Sequence, residues 1–350
     1  MNNYKNVLVH SQLTIKQALF KLDQTALQIL LVVDEDSKLL GTITDGDIRR
    51  GLLKGMGLDE AIESIVYATP TLGYTSESNQ EIIKKAIAKK LHQIPIVDSD
   101  NKVIGLKEID ELLKPEMKPN KVVLMVGGLG TRLHPLTKDT PKPMLKVGDK
   151  PILHTIVECF ASYGFVNIVM CVNYKAKTIQ DYFGNGEKFG VKIEYVLEQE
   201  RMGTAGALSL LTTRPGEAFF VMNGDLLTNV NFESLLDYHQ THQAAATMCV
   251  REYDFQVPYG VVNIDGNKVT SIVEKPVHKF FVSAGIYMLS PQVLGLIPNG
   301  EYYDMPTLFE KLIEQNQNTV SFPIHEYWLD IGRMNEYEQA NREYSEVFGV

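Results

Sequence analysis

A glycine-rich segment with two cations beyond it lies between Lys121 and Met144, in the sequence KVVLMVGGLGTRLHPLTKDTPKPM. It opens with an uninterrupted apolar run, Val122 to Val126, which predicts a buried strand. The glycines that follow allow a tight turn whose N–H groups can come close to a ligand, and Arg132 and Lys142 carry positive charge beyond that turn. Amides that bind phosphate oxygens, with cations that offset the charge of a reacting phosphoryl group, predict a triphosphate site.

The segment is not a P-loop, because the Gly-Lys-Ser/Thr ending of that motif is missing. It resembles instead the signature of the sugar-phosphate nucleotidyltransferases (nucleoside-diphosphate-sugar pyrophosphorylases), GxGTRLxPLT followed by PKPM. The matching residues are Gly128, Gly130, Thr131, Arg132, Leu133, Pro135, Leu136, Thr137, Pro141, Lys142 and Pro143. The resemblance implies that Gly127, Gly128, Gly130 and Thr131 contact the nucleotide. It also implies that Arg132 and Lys142 bind the triphosphate during catalysis.

Predicted strands and helices alternate after Lys121, and they must position these residues. The predicted strands are 167–172, 191–197 and 218–222, and the predicted helices are 152–163, 176–183 and 204–211. This alternation predicts an α/β fold with a doubly wound, mostly parallel (Rossmann-like) sheet. Ligands of such sheets bind beyond the carboxyl ends of the strands, where the glycine-rich segment begins.

Two aspartates follow apolar strands at separate points of the chain. Asp225 ends the run AFFVMNGD, and Asp330 lies in YWLDIGR. The resemblance implies that both are Mg²⁺ ligands and that Asp225 is also catalytic. Mg²⁺ is commonly held by one or two carboxylates together with substrate phosphates.

The segment LEQERMGTAGALSLL resembles the part of the family that contacts the base and the ribose. The resemblance assigns Glu198, Gly203, Thr204 and Ala205 to nucleotide binding. Related enzymes that use uridine or thymidine nucleotides tend to have glutamine where Glu198 stands. A carboxylate only accepts hydrogen bonds, and guanine offers two adjacent donors, whereas uracil offers one N–H between two carbonyls. Glu198 therefore favours GTP.

The resemblance also implies a sugar-phosphate site. Its candidate residues are Tyr259, Gly260, Glu274, Lys275, Ser283 and Gly285. In the family the glutamate of the EKP motif holds sugar hydroxyls, and its lysine pairs with the sugar phosphate. Ser283 stands where the family more often has asparagine.

The N-terminal third contains a repeat at an offset of 64 residues, because ILLVVDEDSKLLG (29–41) aligns without a gap with QIPIVDSDNKVIG (93–105). A helix, two strands and a helix in each copy resemble a pair of CBS repeats. The resemblance assigns Thr44 and Asp47 to a regulatory nucleotide site in the first copy. The second copy has Glu108 and Glu111 at these positions, which would repel a phosphate. A purely structural or dimerising role is the alternative.

These patterns predict a smaller α/β CBS-pair domain at 1–114, an exposed proline-containing linker at 115–120 and a catalytic domain at 121–350. A final amphipathic helix is predicted over 335–347. The expected reaction joins an NTP, preferably GTP, to a sugar 1-phosphate and releases pyrophosphate.

The arrangement with a CBS pair resembles bacterial enzymes that make GDP-glucosamine for legionaminic-acid-type sugars, which points to glucosamine 1-phosphate. Mannose- or heptose-1-phosphate guanylyltransferases and uridylyltransferases are alternatives within the class. A nucleotide-sensing protein with an inactive transferase domain is an alternative outside it. At least a homodimer through the CBS pairs is expected.

Composition and charge limit the other functions. The chain has 350 residues, 44% of them hydrophobic, a net charge of −9 and three cysteines. The acidic balance argues against nucleic-acid binding, and the scattered cysteines predict reduced core thiols. No apolar run is long enough for a membrane span and the first residues lack a signal-peptide core, so we expect a cytoplasmic protein that binds no membrane.

Overall fold

The structure, a computed structural model, describes residues 4–25 and 27–349. The predicted domains 1–114 and 121–350 therefore begin and end at positions outside the described residues. The chain divides into two compact units, Met1–Pro115 and Glu116–Val350. No helix among the described residues has the length and apolar character needed to cross a bilayer.

The N-terminal unit contains the predicted repeat. Its first copy comprises β1 (Leu8–Val9), α1 (Ile15–Thr25), β2 (Ile29–Val33), β3 (Leu39–Thr44) and α2 (Asp45–Leu53). Its second copy comprises β4 (Gly73–Tyr74), α3 (Asn79–Lys89), β5 (Gln93–Val97), β6 (Val103–Glu108) and α4 (Ile109–Leu112). In each copy the first strand pairs in parallel with the second, which pairs antiparallel with the third.

The two copies meet near the turns that join β2 to β3 and β5 to β6. The N–H of Leu39 donates to the carbonyl of Asn101 at 2.9 Å, and the Asn101 side-chain amide donates back to the carbonyl of Leu39 at 2.9 Å. Val97, Val103 and Leu106 of the second copy join the buried cluster of the first. The two copies therefore form one small folded unit with a shared core.

The C-terminal unit is larger. Its strands are β7 (Lys118–Met125), β8 (Lys146–Val147), β9 (Lys150–Pro151), β10 (Phe165–Val172), β11 (Lys192–Leu197), β12 (Phe219–Asn223), β13 (Leu226–Thr228), β14 (Ala246–Gln256), β15 (Val261–Asp265), β16 (Lys268–Val273), β17 (Val277–Leu289), β18 (Thr319–Pro323) and β19 (Trp328–Asp330). Its helices are α5 (Ile152–Ser162), α6 (Ala176–Phe183), α7 (Gly203–Gly206), α8 (Phe232–Thr241), α9 (Met305–Glu314) and α10 (Met334–Phe348).

The central sheet has seven strands in the order β11-β10-β7-β12-β17-β14-β18. All run parallel except β17, which is antiparallel to both neighbours. Val122 and Leu124 of β7 enter one buried cluster and Val123 enters another, so both faces of the sheet are covered. The predicted mostly parallel, doubly wound α/β fold is confirmed.

The linker prediction was too long, because β7 begins at Lys118 and so includes the last three residues of 115–120. The N–H of Lys118 donates to the carbonyl of Gly164 at 2.9 Å, and the buried Asn120 side chain donates to the carbonyl of Ala218 at 2.7 Å. These bonds fix the segment to the sheet. All three cysteines are free, and Cys171 and Cys249 are buried as predicted.

Candidate active site

A cavity of about 460 Å³ lies beyond the carboxyl ends of β7, β11 and β12. Because these strands are parallel, the segments that follow them meet at one edge of the sheet. The cavity is lined by Met125, Gly127, Gly128, Leu129, Gly130, Thr131, Arg132, Lys142, Glu198, Arg201, Met202, Gly203, Thr204, Asn223, Asp225, Tyr302, Asp304 and Gly332. The glycine-rich loop, both predicted cations and most predicted nucleotide-binding residues are therefore brought together.

Gly130 allows the glycine-rich loop to pack against Lys142. Its φ of +65° lies in the left-handed region. A Cβ at this position would approach the side chains of Lys142 and Thr137 to 2.9 Å, closer than such contacts allow. The buried Thr137 hydroxyl donates to the carbonyl of Gly130 at 2.7 Å. Only glycine permits this loop to pack so closely on the segment that carries Lys142.

Lys142 stands between the two predicted metal ligands. Its ammonium is buried and forms an ion pair with Asp225, and its Nζ lies 3.8 Å from Oδ1 of Asp330. The pairing of β13 with β19 places Leu226 opposite Asp330, which brings these distant aspartates to one site. Burial, and then repulsion from Asp225, raise the pKa of the half-exposed Asp330.

The two aspartates fit a magnesium ion. Oδ1 of Asp225 is buried and has no hydrogen-bond partner among the described residues, so one carboxylate oxygen is available for a ligand. No cluster of three or more His, Cys, Asp or Glu side chains suited to a metal occurs in the described part of the chain. Two carboxylates with nucleotide phosphates are the donor set that Mg²⁺ commonly uses, so the donors present suit it.

Glu198 lies at the end of β11 and is 8% exposed. Its Oε2 accepts one long hydrogen bond, 3.4 Å, from the N–H of Met202. Burial raises the pKa of this carboxyl group. A Cβ on Gly127 would lie 3.1 Å from Oε1 of Glu198, so the carboxylate sits directly against the glycine-rich loop. Most of its accepting capacity is left for a ligand in the cavity.

Sequence reasoning missed the residues that support the GTAG segment. The N–H and the hydroxyl of Thr204 donate to Oδ1 of Asp304 at 2.9 and 3.2 Å, and Tyr302 donates to its other oxygen. Burial opposes the charge of Asp304, but these hydrogen bonds outweigh it and lower the pKa of its carboxyl group. Asp304 is 100 positions from Thr204, and nothing in the local sequence YYDMP connects them. Arg201, Asn223 and Gly332 are further lining residues that were not predicted.

Ala205 does not line the cavity. It is fully buried, and its N–H donates to the carbonyl of Tyr303 at 2.9 Å. Gly203, in contrast, has a φ of +75°, and a Cβ there would lie 2.6 Å from the carbonyl oxygen of Tyr303. The segment therefore presents Gly203 and Thr204 to the cavity and uses Ala205 for anchoring.

The sugar-phosphate candidates are divided between two places. Gly285 is near the cavity, because a Cβ there would lie 2.7 Å from the amide nitrogen of Asn223. The Ser283 hydroxyl forms a hydrogen bond with the hydroxyl of Tyr287 at 2.9 Å, so its partner lies within the same strand, β17. The remaining four, Tyr259, Gly260, Glu274 and Lys275, are exposed and are absent from the cavity wall as the structure describes it.

In the N-terminal unit, Thr44 and Asp47 bind each other. Asp47 Oδ2 accepts from the N–H of Thr44 at 2.9 Å and from its hydroxyl at 2.6 Å. The pair forms a capping box at the start of α2. Arg50 donates to the other carboxylate oxygen of Asp47 at 2.6 Å. These two candidates therefore already have a structural role.

Comparison with known proteins identifies the family of the C-terminal unit. The nucleotidyl transferase family model matches residues 121–347, which is more than half of the chain, so the chain belongs to the nucleotidyl transferase family. The CBS domain model matches residues 3–54, in the first copy of the repeat.

Similar curated proteins are the mannose-1-phosphate guanyltransferases of Candida albicans, 36% identical over 234 residues, and Saccharomyces cerevisiae, 35% identical over 233 residues. Each alignment covers 62% of this chain and 62% of the relative, so the chain spans less than two thirds of their length. Among solved structures, HddC from Yersinia pseudotuberculosis is 27% identical with a TM-score of 0.51, over 64% of this chain and 99% of HddC. A second HddC structure, with the same identity, coverage and TM-score, is complexed with GMP-PN.

Proposed function

We propose that this chain is a sugar-1-phosphate guanylyltransferase, which joins GTP to a sugar 1-phosphate. One observation carries the proposal: Arg132, Lys142, Asp225 and the buried Glu198 line one cavity, and Asp330 lies beside Lys142. The first four suit a triphosphate with a metal ion, and Glu198 suits a base with adjacent donors.

In the proposed reaction an oxygen of the sugar 1-phosphate attacks the α-phosphorus of GTP in line. The new P–O bond forms as the bond to the bridging α–β oxygen breaks, and pyrophosphate leaves with that electron pair. The attacking phosphate is already ionised, so no general base is required. Positioning and charge neutralisation then supply most of the rate acceleration.

The charged candidates have separate tasks in this scheme. Arg132 is exposed on the cavity wall and binds the triphosphate oxygens, and Lys142 neutralises the charge that develops on them. Asp225 and Asp330 would hold Mg²⁺, which supplies further charge neutralisation when bound. Lys275 would bind the phosphate of the sugar, the second anion, which otherwise repels the first.

The choice of GTP rests on Glu198. Its two oxygens accept from N1–H and the 2-amino group of guanine, whereas the edge of uracil would place a carbonyl against a carboxylate. The names of the curated relatives and the GMP-PN complex of HddC support the same choice. Mannose 1-phosphate is the first sugar substrate to test because the relatives are named for it. Heptose 1-phosphate and glucosamine 1-phosphate, the latter suggested by the CBS pair, are the others.

Pyrophosphate release across four NTPs and these sugar 1-phosphates, with magnesium, tests the proposal. We expect GTP to be preferred over UTP with at least one sugar. A preference for UTP would instead indicate a uridylyltransferase. If no pair of substrates releases pyrophosphate, the nucleotide-sensing alternative is favoured.

The CBS pair is proposed as a regulatory or dimerising module. Nucleotide binding at the first copy would require Thr44 and Asp47 to give up bonds of their capping box. Calorimetry of the full-length chain with AMP, ATP, GMP and GTP, using an Arg132→Ala variant to weaken catalytic-site binding, checks this. Heat that disappears with Asp47→Asn supports a regulatory site, and heat unaffected by that change leaves the structural role.

A further inference from the structure

The residues that precede α9, 301–304, are hydrogen-bonded along the GTAG segment. The N–H of Tyr303 donates to the carbonyl of Met202 at 2.9 Å. The carbonyl of Tyr303 accepts from the N–H groups of Ala205 and Gly206 at 2.9 and 2.8 Å. Because these bonds join backbone to backbone, they fix the position of 301–304 relative to the GTAG segment. A side chain of 301–304 that lines the cavity is therefore held at a defined place on its wall.

Tyr302 is such a side chain. It is 64% exposed, and it is the only aromatic residue among the described residues that line the cavity. Its hydroxyl donates to Oδ2 of Asp304, and this hydrogen bond raises the pKa of the hydroxyl, so it stays a donor at neutral pH. Oδ1 of the same carboxylate accepts from Thr204. The ring is thus anchored through its hydroxyl, while most of its surface stays exposed.

The same bonds connect Tyr302 to Glu198, the proposed base-reading residue. Oε2 of Glu198 accepts from the N–H of Met202, and the carbonyl of Met202 accepts from the residue next to Tyr302. The other carboxylate oxygen, Oε1, lies against Gly127. A base whose edge meets Glu198 therefore enters between the glycine-rich loop and the segment that holds Tyr302. An exposed aromatic ring on that side is a surface on which a base can stack.

We infer that Tyr302 stacks on the base of the nucleotide and that Asp304 is a positioning residue that holds the ring in place. This inference deepens the proposed function and rests on it. Glu198 then reads the hydrogen-bonding edge of the base, and Tyr302 contacts its face. A purine presents a larger face than a pyrimidine, so Tyr302 adds to the preference for GTP over UTP. It does not distinguish GTP from ATP, because every base has a π-face.

Binding of three ligands to Tyr302→Leu tests the contact. Calorimetry with Mg²⁺ and without sugar compares GTP, UTP and tripolyphosphate, which has the phosphates but no base. Loss of base stacking should weaken GTP binding about 10-fold or more. UTP binding should be weakened less, and tripolyphosphate should bind as tightly as to the wild type. Tyr253→Leu, at an exposed position of β14 outside the described cavity lining, is the control and should change none of the three affinities.

Equal GTP affinity in Tyr302→Leu and the wild type would overturn the inference and leave the proposed function standing. Equal weakening of GTP and tripolyphosphate would overturn it too, because the substitution would then act on the phosphate part of the cavity. Selective loss of GTP affinity in a protein that releases no pyrophosphate would support the stacking contact and refute only the transferase activity. If the wild type bound GTP no better than tripolyphosphate, both the inference and the choice of GTP would fail.

Variants of Asp304 test the positioning role. Asp304→Ala removes the acceptor that Tyr302 and Thr204 share. The KM for GTP should rise about 10-fold while kcat changes little, since the ring does not contact the reacting phosphates. Asp304→Asn keeps an acceptor for Thr204 and a hydrogen-bonding group for Tyr302, so it should restore the KM. An unchanged KM in Asp304→Ala, or a fall in kcat as large as the rise in KM, would overturn the positioning role.

Discussion

Asp225 and Asp47 both follow buried strands, yet the fold uses their oxygens differently. One oxygen of Asp225 forms an ion pair with Lys142, and the other is buried without a hydrogen-bond partner among the described residues. Both oxygens of Asp47 accept hydrogen bonds, from Thr44 and from Arg50. The first site has unused capacity for a ligand, and the second has little.

This difference has a thermodynamic meaning. A buried oxygen without a hydrogen bond costs about 1–3 kcal/mol of stability, whereas a capping box contributes about 1 kcal/mol. The C-terminal unit therefore keeps one buried oxygen, Oδ1 of Asp225, without a hydrogen bond, as expected of a ligand-binding position. The corresponding motif in the N-terminal unit is explained by helix formation alone.

The largest effect is expected for Asp225→Ala. In the proposed reaction this carboxylate would hold Mg²⁺ and pair with Lys142 beside the triphosphate, so its loss should lower turnover by about two orders of magnitude or more. Pyrophosphate release with magnesium measures it, and circular dichroism checks the fold. Asp237→Ala, an exposed aspartate on α8, is the control and should be neutral. Turnover near the wild-type value in Asp225→Ala would remove Asp225 from the mechanism.

The second prediction concerns Glu198→Gln. The amide replaces one acceptor by a donor, so one bond to guanine becomes a donor–donor contact and the other loses its charge assistance. Hydrogen bonds to charged groups contribute about 1.5–3 kcal/mol, so kcat/KM for GTP should fall roughly 10- to 100-fold. UTP should lose less or gain. A variant that keeps its full preference for GTP would show that another residue reads the base.

The third prediction concerns stability in the same variant. Burial raises the folded pKa of Glu198 above its unfolded value, so the folded state binds this proton more tightly. Wild-type stability should therefore fall as pH rises from the ordinary glutamate pKa through the raised one, and Glu198→Gln should lack this loss. At neutral pH the variant should be more stable by about 1–2 kcal/mol, the cost of a buried group with incomplete hydrogen bonds. Urea unfolding at several pH values measures this difference, and equal curves would contradict it.

Sequence reasoning predicted the parts of the fold that local patterns determine. Helix α6 has the predicted bounds, Ala176–Phe183, because Ile179 and Phe183 repeat at helical spacing and are buried. The segment 204–211 was expected to be one helix, but α7 ends at Gly206 and a 3₁₀ turn, Ala207–Leu210, follows. The N–H groups of Ala205 and Gly206 donate to the carbonyl of Tyr303, a distant residue that no local pattern reveals.

The candidate site shows the same limit. Arg132, Lys142 and Asp225 were predicted from motifs, and the fold brings all three to one cavity. The support of Thr204 by Asp304 was not predicted, because it depends on where α7 and the start of α9 meet in space. The apolar residues of 251–282, such as Phe255 and Phe281, resemble those of a buried strand in sequence, yet no residue of this segment is buried.

The smallest effect is expected for Thr44→Ala, which tests the structural role of the Thr44 and Asp47 pair. Thr44→Ala removes the hydroxyl that bonds Asp47 and caps α2, so the N-terminal unit should lose about 1 kcal/mol of stability. Faster hydrogen exchange of the α2 amides, Asp45–Leu53, measures the loss locally, and Thr44→Ser, which keeps the hydroxyl, should restore protection. Unchanged exchange in Thr44→Ala would mean that the cap contributes nothing. The Thr44 and Asp47 pair would then need a ligand to explain it, and the contrast with Asp225 would not hold.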